Sequence, residues 1–123
     1  MNDISLGEIE SRFAGIIWEK APLNTAELVK ICSVRFGWKR TTTYTVLKRL
    51  CDKGLFRVEN SVISVVVSRE KFCSERSRRV VEESFGGSLP AFIAAFAAGR
   101  PLSEKEIAEI REMIDRFGKE NGV

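Results

Sequence analysis

Glycine and proline punctuation constrains this chain more than any other feature. Pro22, Gly37 and Gly54 divide the first 67 residues into three helical pieces followed by two β-prone runs. In the first piece Leu6, Ile9, Phe13, Ile16 and Ile17 recur at three- and four-residue steps, which predicts one apolar stripe on a helix over 6–20. Asn24 or Thr25 can cap the second helix, with Glu27 in its first turn and Leu28, Val29 and Cys32 facing inward. The third starts after Trp38, runs through Thr41 to Lys53 and stops at Gly54, a natural residue for the left-handed turn past a helix end. Leu55–Glu59 and Val62–Val67 then read as a hairpin joined at Asn60-Ser61, a weaker turn signal than Asn-Gly.

The second half is helical again. A charge-rich fourth helix is expected over Arg69–Phe85, ending at Gly86-Gly87 and exposed on most sides. Ser88 can cap a fifth, with Pro90 in its first turn, an apolar edge of Phe92, Ile93 and Phe96, and a stop at Gly99 and Pro101. The sixth opens with a capping box, Ser103 and Glu106, and a hydrophobic staple, Leu102 and Ile107; Ile110, Ile114 and Phe117 continue its stripe. Two short helices this apolar cannot bury their faces alone. They can pack on the first half of the chain or on a second copy. The expected fold is mainly α with a small β-hairpin: a winged helix-turn-helix over residues 1–68, then three helices over 69–123.

Composition narrows the function. A 123-residue chain buries about two thirds of its unfolded surface, so it needs neither disulfide nor metal to fold. It has no histidine, which removes the usual general base and the usual zinc ligand. Cys32, Cys51 and Cys73 are widely spaced, with no C-x-x-C, and read as three buried thiols in a reducing compartment. No Gly-rich phosphate loop, no G-x-S-x-G and no paired metal motif is present, so an enzyme, a cofactor and a metal are not expected. The longest mostly apolar stretch, Leu89 to Ala98, is half of the roughly 20 residues a membrane span needs. The start, MNDISLGEIES, has acids where a secretory leader has bases and an apolar run, which implies a cytoplasmic protein without membrane insertion.

Charge is concentrated. Arg35, Lys39, Arg40, Lys48, Arg49, Lys53 and Arg57 face one acid, Asp52, so this segment carries +6, whereas the last 24 residues hold five bases and six acids. Such a local basic face is the electrostatic footprint suited to a phosphate backbone, or else a solvated helix face. The third helix discriminates between the two. Thr43, Val46, Leu47 and Leu50 stand at i, i+3, i+4 and i+7; Thr41, Tyr44, Thr45 and Lys48 repeat that spacing two residues away, about 200° around the axis. One face suits a core and the opposite face offers hydroxyls, a phenol and an ammonium. Threonine is a mediocre helix former, and capping accounts for Thr41 or Thr42 but not for Thr45. Small hydroxyl side chains let a helix sit deep in a major groove and touch base edges. Thr41, Thr42, Tyr44, Thr45 and Lys48 are therefore the base-readout candidates. Asn24, Thr25, Lys39, Arg40, Arg49, Arg57 and Asn60 are the backbone candidates, with Ser33 and Ser61 beside them and Asp52 an alternative partner for Arg49. The alternative is a winged helix that binds protein, which needs neither the threonine stripe nor the basic segment.

The stretch W-K-R-T-T-T-Y-T-V-L-K-R-L-C-D-K-G-L, from Trp38 to Leu55, resembles the recognition-helix signature of the penicillinase-repressor family (BlaI/MecI type). Glu8-Ile9 through Ile17-Trp18, Thr25–Leu28, Val67–Glu70, Phe85–Ser88 and Leu102–Ile107 are similar to further blocks of that family in the same order. The resemblance implies a homodimeric repressor of genes that binds palindromic operator DNA. Leu89, Phe92, Ile93, Phe96, Ile107, Ile110, Ile114 and Phe117 are then expected at the dimer interface. In resistance members of the family a membrane-bound sensor protease triggers cleavage in the dimerisation region. That makes such a protease a candidate partner and Ala95–Phe96 the bond in the place of the family's Asn-Phe. The wing is shorter than the family's, and no cysteine follows Cys73, so the paired C-x-C of copper-responsive relatives is missing.

Overall fold

The computed structural model describes residues 6–121; the acidic start over residues 1–5 lies outside it. The element order is α1 (Glu8–Lys20), β1 (Leu23–Asn24), α2 (Thr25–Phe36), α3 (Arg40–Asp52), β2 (Phe56–Glu59), β3 (Val62–Val65), α4 (Arg69–Phe85), α5 (Leu89–Gly99) and α6 (Glu104–Glu120). The chain divides into two compact units within α4, one ending at Arg79 and the other starting at Val80.

The first unit is a winged helix. Phe13, Ile17, Leu28, Leu50, Leu55 and Ile63 are its largest fully buried apolar side chains, drawn from α1, α2, α3 and the hairpin. Burying each such side chain contributes about 1.5–3 kcal/mol. The inward stripe of α1 is Phe13, Ala14, Ile16 and Ile17. Leu6 joins the core from ahead of the helix, whereas Ile9, expected inside, is 47% exposed in the first turn of α1, one turn ahead of the buried Phe13.

The sheet is antiparallel in the order β1-β3-β2. Its first strand, absent from the sequence reading, pairs Leu23 with Ile63 and Asn24 with Val62. In the hairpin Phe56 lies opposite Val65 and Glu59 opposite Val62. Asn60 and Ser61 both take positive φ, 52° and 63°, the mirror-image turn whose twist matches paired strands. Trp18 ties the exit of the hairpin to α4. Its Nε1–H donates to the Val67 carbonyl at 2.9 Å, and its ring packs against Phe56 and Phe72 at 5.5 and 5.4 Å. Phe72 is thereby buried, an apolar contact that the charge-rich sequence of α4 concealed. Cysteine burial also differs from expectation: Cys32 is buried and Cys51 half-buried, but Cys73 is exposed, because it lies on the outer side of α4.

The second unit holds the end of α4 with α5 and α6. Ser88 caps α5 by accepting from Ala91 N–H at 3.1 Å, and Phe85 meets Phe92 edge-on at 5.5 Å. The expected capping box opens α6: Ser103 Oγ accepts from Glu106 N–H at 3.1 Å, and the Glu106 carboxylate accepts from Ser103 N–H at 3.1 Å.

Candidate nucleic-acid interface

A three-residue turn, Gly37 to Lys39, aims α3. Gly37 sits at φ 68°, where a residue with a Cβ is strained, and its N–H donates to Ser33 O at 3.1 Å. Trp38 then stacks on Phe36 and Phe13 at 4.8 and 5.7 Å, which fixes the turn against both α2 and α1. On α3 itself Thr43, Val46, Leu47 and Leu50 are buried, and Thr41, Thr42, Thr45 and Lys48 are exposed, with Tyr44 half-buried between the two faces.

Hydrogen bonding refines what each outward residue can offer. The Thr45 hydroxyl donates to the Thr41 carbonyl at 2.9 Å, which leaves its oxygen lone pairs and methyl facing out. Lys48 pairs with Asp52 at 3.2 Å on the surface, so the ammonium neutralises the one carboxylate of this segment. Arg40 lies over the Tyr44 ring with its guanidinium carbon 5.5 Å from the centroid. The Thr25 hydroxyl and then Arg40 hold the Tyr44 phenol below its usual pKa.

The backbone candidates separate into two groups. Lys39 and Arg40 are exposed at the start of α3, Arg57 is exposed on β2 near Glu59 at 3.8 Å, and Asn60 is exposed at the hairpin tip with Ser61. Asn24 is exposed and caps α2, its side-chain oxygen accepting from Ala26 N–H at 2.8 Å, which leaves its amide NH2 free to donate. Ser33 is exposed on α2. Thr25 and Arg49 are each engaged within the chain. Thr25 is only 6% exposed, and its N–H donates to Ser61 O at 2.9 Å, so it joins α2 to the hairpin tip. Arg49 reaches across to α1 and donates to Glu10 at 3.2 Å, with Lys53 3.9 Å from the same carboxylate. Asp52, its expected alternative partner, is taken by Lys48. Burial works to raise the Glu10 pKa, but Arg49, the Gly7 N–H and Lys53 together outweigh it and leave the carboxyl below its usual range.

In the second unit the expected interface residues lie outward. No residue of α5 or α6 is buried. Leu89, Phe96, Ile114 and Phe117 are 55%, 44%, 58% and 51% exposed, and Phe92, Ile93, Ile107 and Ile110 are half-buried. Ala95–Phe96 lies inside α5, and Arg100 covers the Phe96 ring at 4.7 Å. Among the described residues no helix is long and apolar enough to cross a membrane, and no three His, Cys, Asp or Glu side chains are placed to hold a metal ion.

The pattern of the penicillinase repressor family matches residues 6–116. The chain is 23% identical over 114 residues to the penicillinase repressor of Bacillus licheniformis, an alignment covering 89% of each chain. It is 21% identical over 115 residues to the methicillin resistance regulatory protein MecI of Staphylococcus aureus, covering 90% of this chain and 94% of that one.

Proposed function

The chain belongs to the penicillinase repressor family, a family of transcriptional repressors and not of enzymes, and from that premise we propose that it represses genes as a homodimer bound to operator DNA. The winged helix over residues 1–68 reads DNA, and residues 69–123 hold two copies together. In each copy α3 enters the major groove, where Thr41, Thr42, Thr45, Lys48 and the Tyr44–Arg40 pair face base edges. Lys39, Arg57, Asn24 and the Asn60–Ser61 tip meet the phosphate backbone. The observation that carries this reading is the division of α3 into a buried apolar face and an outward face of threonines, with basic residues at both ends. A groove-reading helix needs a flat, small, hydrogen-bonding surface, and positive charge beside it holds the phosphates.

The exposed apolar side chains Leu89, Phe96, Ile114 and Phe117 of α5 and α6 support pairing of two copies through these helices. Release of the operator by cutting the Ala95–Phe96 bond, by a membrane sensor protease, extends the proposal. That bond is helical, so α5 must open before a protease can act.

Footprinting of the purified full chain on the DNA upstream of its own gene tests the reading. Two protected half-sites are expected, about 10 base pairs or a whole number of helical turns apart, with affinity falling steeply as salt rises. Equal binding to every duplex would replace the repressor reading with a non-specific one. No duplex binding at all would favour a protein-binding winged helix.

A further inference from the structure

A cleft of about 530 Å³ opens on the first unit between α1, the end of α2 and the first turn of α4, and it shares no residue with α3 or the hairpin. Three of its lining side chains are Arg12, Arg35 and Arg69, against one carboxylate, Glu19. Arg12 is already paired with Glu8 at 3.1 Å, on the exposed side of α1. Arg69 is held in place: its guanidinium lies 5.5 Å from the Trp18 ring, and the Trp18 indole is in turn fixed to Val67. Gly15 makes the room. A Cβ there would stand 2.8 Å from the Arg69 Nη2. Arg69 is also the first residue of a 17-residue helix, where the helix dipole disfavours a cation. Helix stability therefore does not explain why a cation stands there. Phe36 supplies an apolar wall beside these charges.

We propose that this cleft binds a small polyanion, a phosphate or a polycarboxylate, between the guanidinium groups of Arg35 and Arg69. The chemistry is charge-assisted, with planar N–H forks matched to two oxygens of one anion. The preset position of Arg69 lowers the ordering cost of binding. No covalent step is involved.

The test uses the full chain with inorganic phosphate in one arm and citrate in the other, at ionic strength held constant with potassium chloride. Calorimetry should show saturable binding of at least one of them, and that anion should raise the melting temperature where chloride does not. Arg35→Gln, which leaves the Trp18 contact alone, should weaken this binding about tenfold, and Gly15→Ala should weaken it by displacing Arg69. Lys119→Gln, on α6, should leave it unchanged. The relative strength of the two arms separates a phosphate ligand from a carboxylate one. Absence of saturable binding up to about 10 mM, some 2.7 kcal/mol of affinity, would overturn the proposal. So would equal binding by Arg35→Gln and the unchanged chain. If instead Arg35→Gln lowers the salt dependence of duplex binding with no effect on phosphate or citrate, the cleft is a DNA-backbone surface and the small-anion proposal fails.

Discussion

The Thr45 hydroxyl already has an acceptor in the Thr41 carbonyl, so its outward oxygen can only accept, and its methyl stands beside it. Adenine N6 and cytosine N4 are the donors a major groove offers to such an oxygen, and the thymine methyl is the apolar neighbour. Thr45→Ala should cost about 1–3 kcal/mol on the operator and relax the preference at one base pair. Thr45→Val, which keeps a methyl and loses the acceptor, should separate the two contributions. Lys39→Ala should weaken all sequences alike and lower the salt slope by about one. Equilibrium binding across a set of single-base variants and salts checks these expectations, and uniform losses for both residues would remove the assignment of Thr45 to readout. The outward stripe was legible because it depends only on helix period. Thr25 and Arg49 were not, because what occupies them stands elsewhere in the chain: Ser61 for one, and for the other Glu10, 39 residues away. No local pattern announces a partner at that distance.

At the scale of the element, the turn from α5 to α6 is held by Glu106. Its carboxylate accepts from Arg100 at 3.1 and 2.9 Å and from Ser103 N–H at 3.1 Å. Arg100 first, then the Ser103 N–H, bring the Glu106 pKa from its ordinary 4.5 to about 2. A carboxyl whose folded pKa is depressed stabilises the fold above its unfolded value and loses that contribution as pH falls through the folded one. The α5–α6 turn should therefore be intact above about pH 4.5 and loosen between there and about pH 2. Circular dichroism of an acid titration should show this limb, and Glu106→Gln should remove its share. The capping box was legible because its residues are three apart; Arg100 was not, since nothing in the spacing distinguishes it from any surface arginine. The same contrast separates the hairpin, visible as two β-prone runs joined at Asn60-Ser61, from β1, whose two residues carry no period at all. On α5 itself, Phe96→Asp should place an unpaired charge in the proposed interface and cost several kcal/mol of pairing. Operator binding at concentrations that saturate the unaltered chain measures it. A dimer with unchanged affinity would exclude α5 from the interface.

For the whole molecule, the proposed dimer would draw its affinity from the joining of two weak readers. A second half-site contact forms at the high local concentration set by the first, so a pair binds far more tightly than one winged helix. Sedimentation of the full chain at micromolar concentration should show a dimer, and residues 1–67 alone should be a folded monomer that binds the operator weakly. A full-length monomer with undiminished operator affinity would contradict both the interface and the release mechanism built on it. If the exposed apolar side of α5 and α6 joins two copies as proposed, it has a further outcome, in protein supply. In the proposed dimer, when copies are scarce enough that most chains are single, the concentration of pairs varies as the square of the concentration of chains, so a doubling of cell volume without new synthesis leaves about a quarter of the pairs per unit volume. Repression by such a pair would not fade in proportion to the supply of protein; it would fall faster than the supply once synthesis lags behind growth.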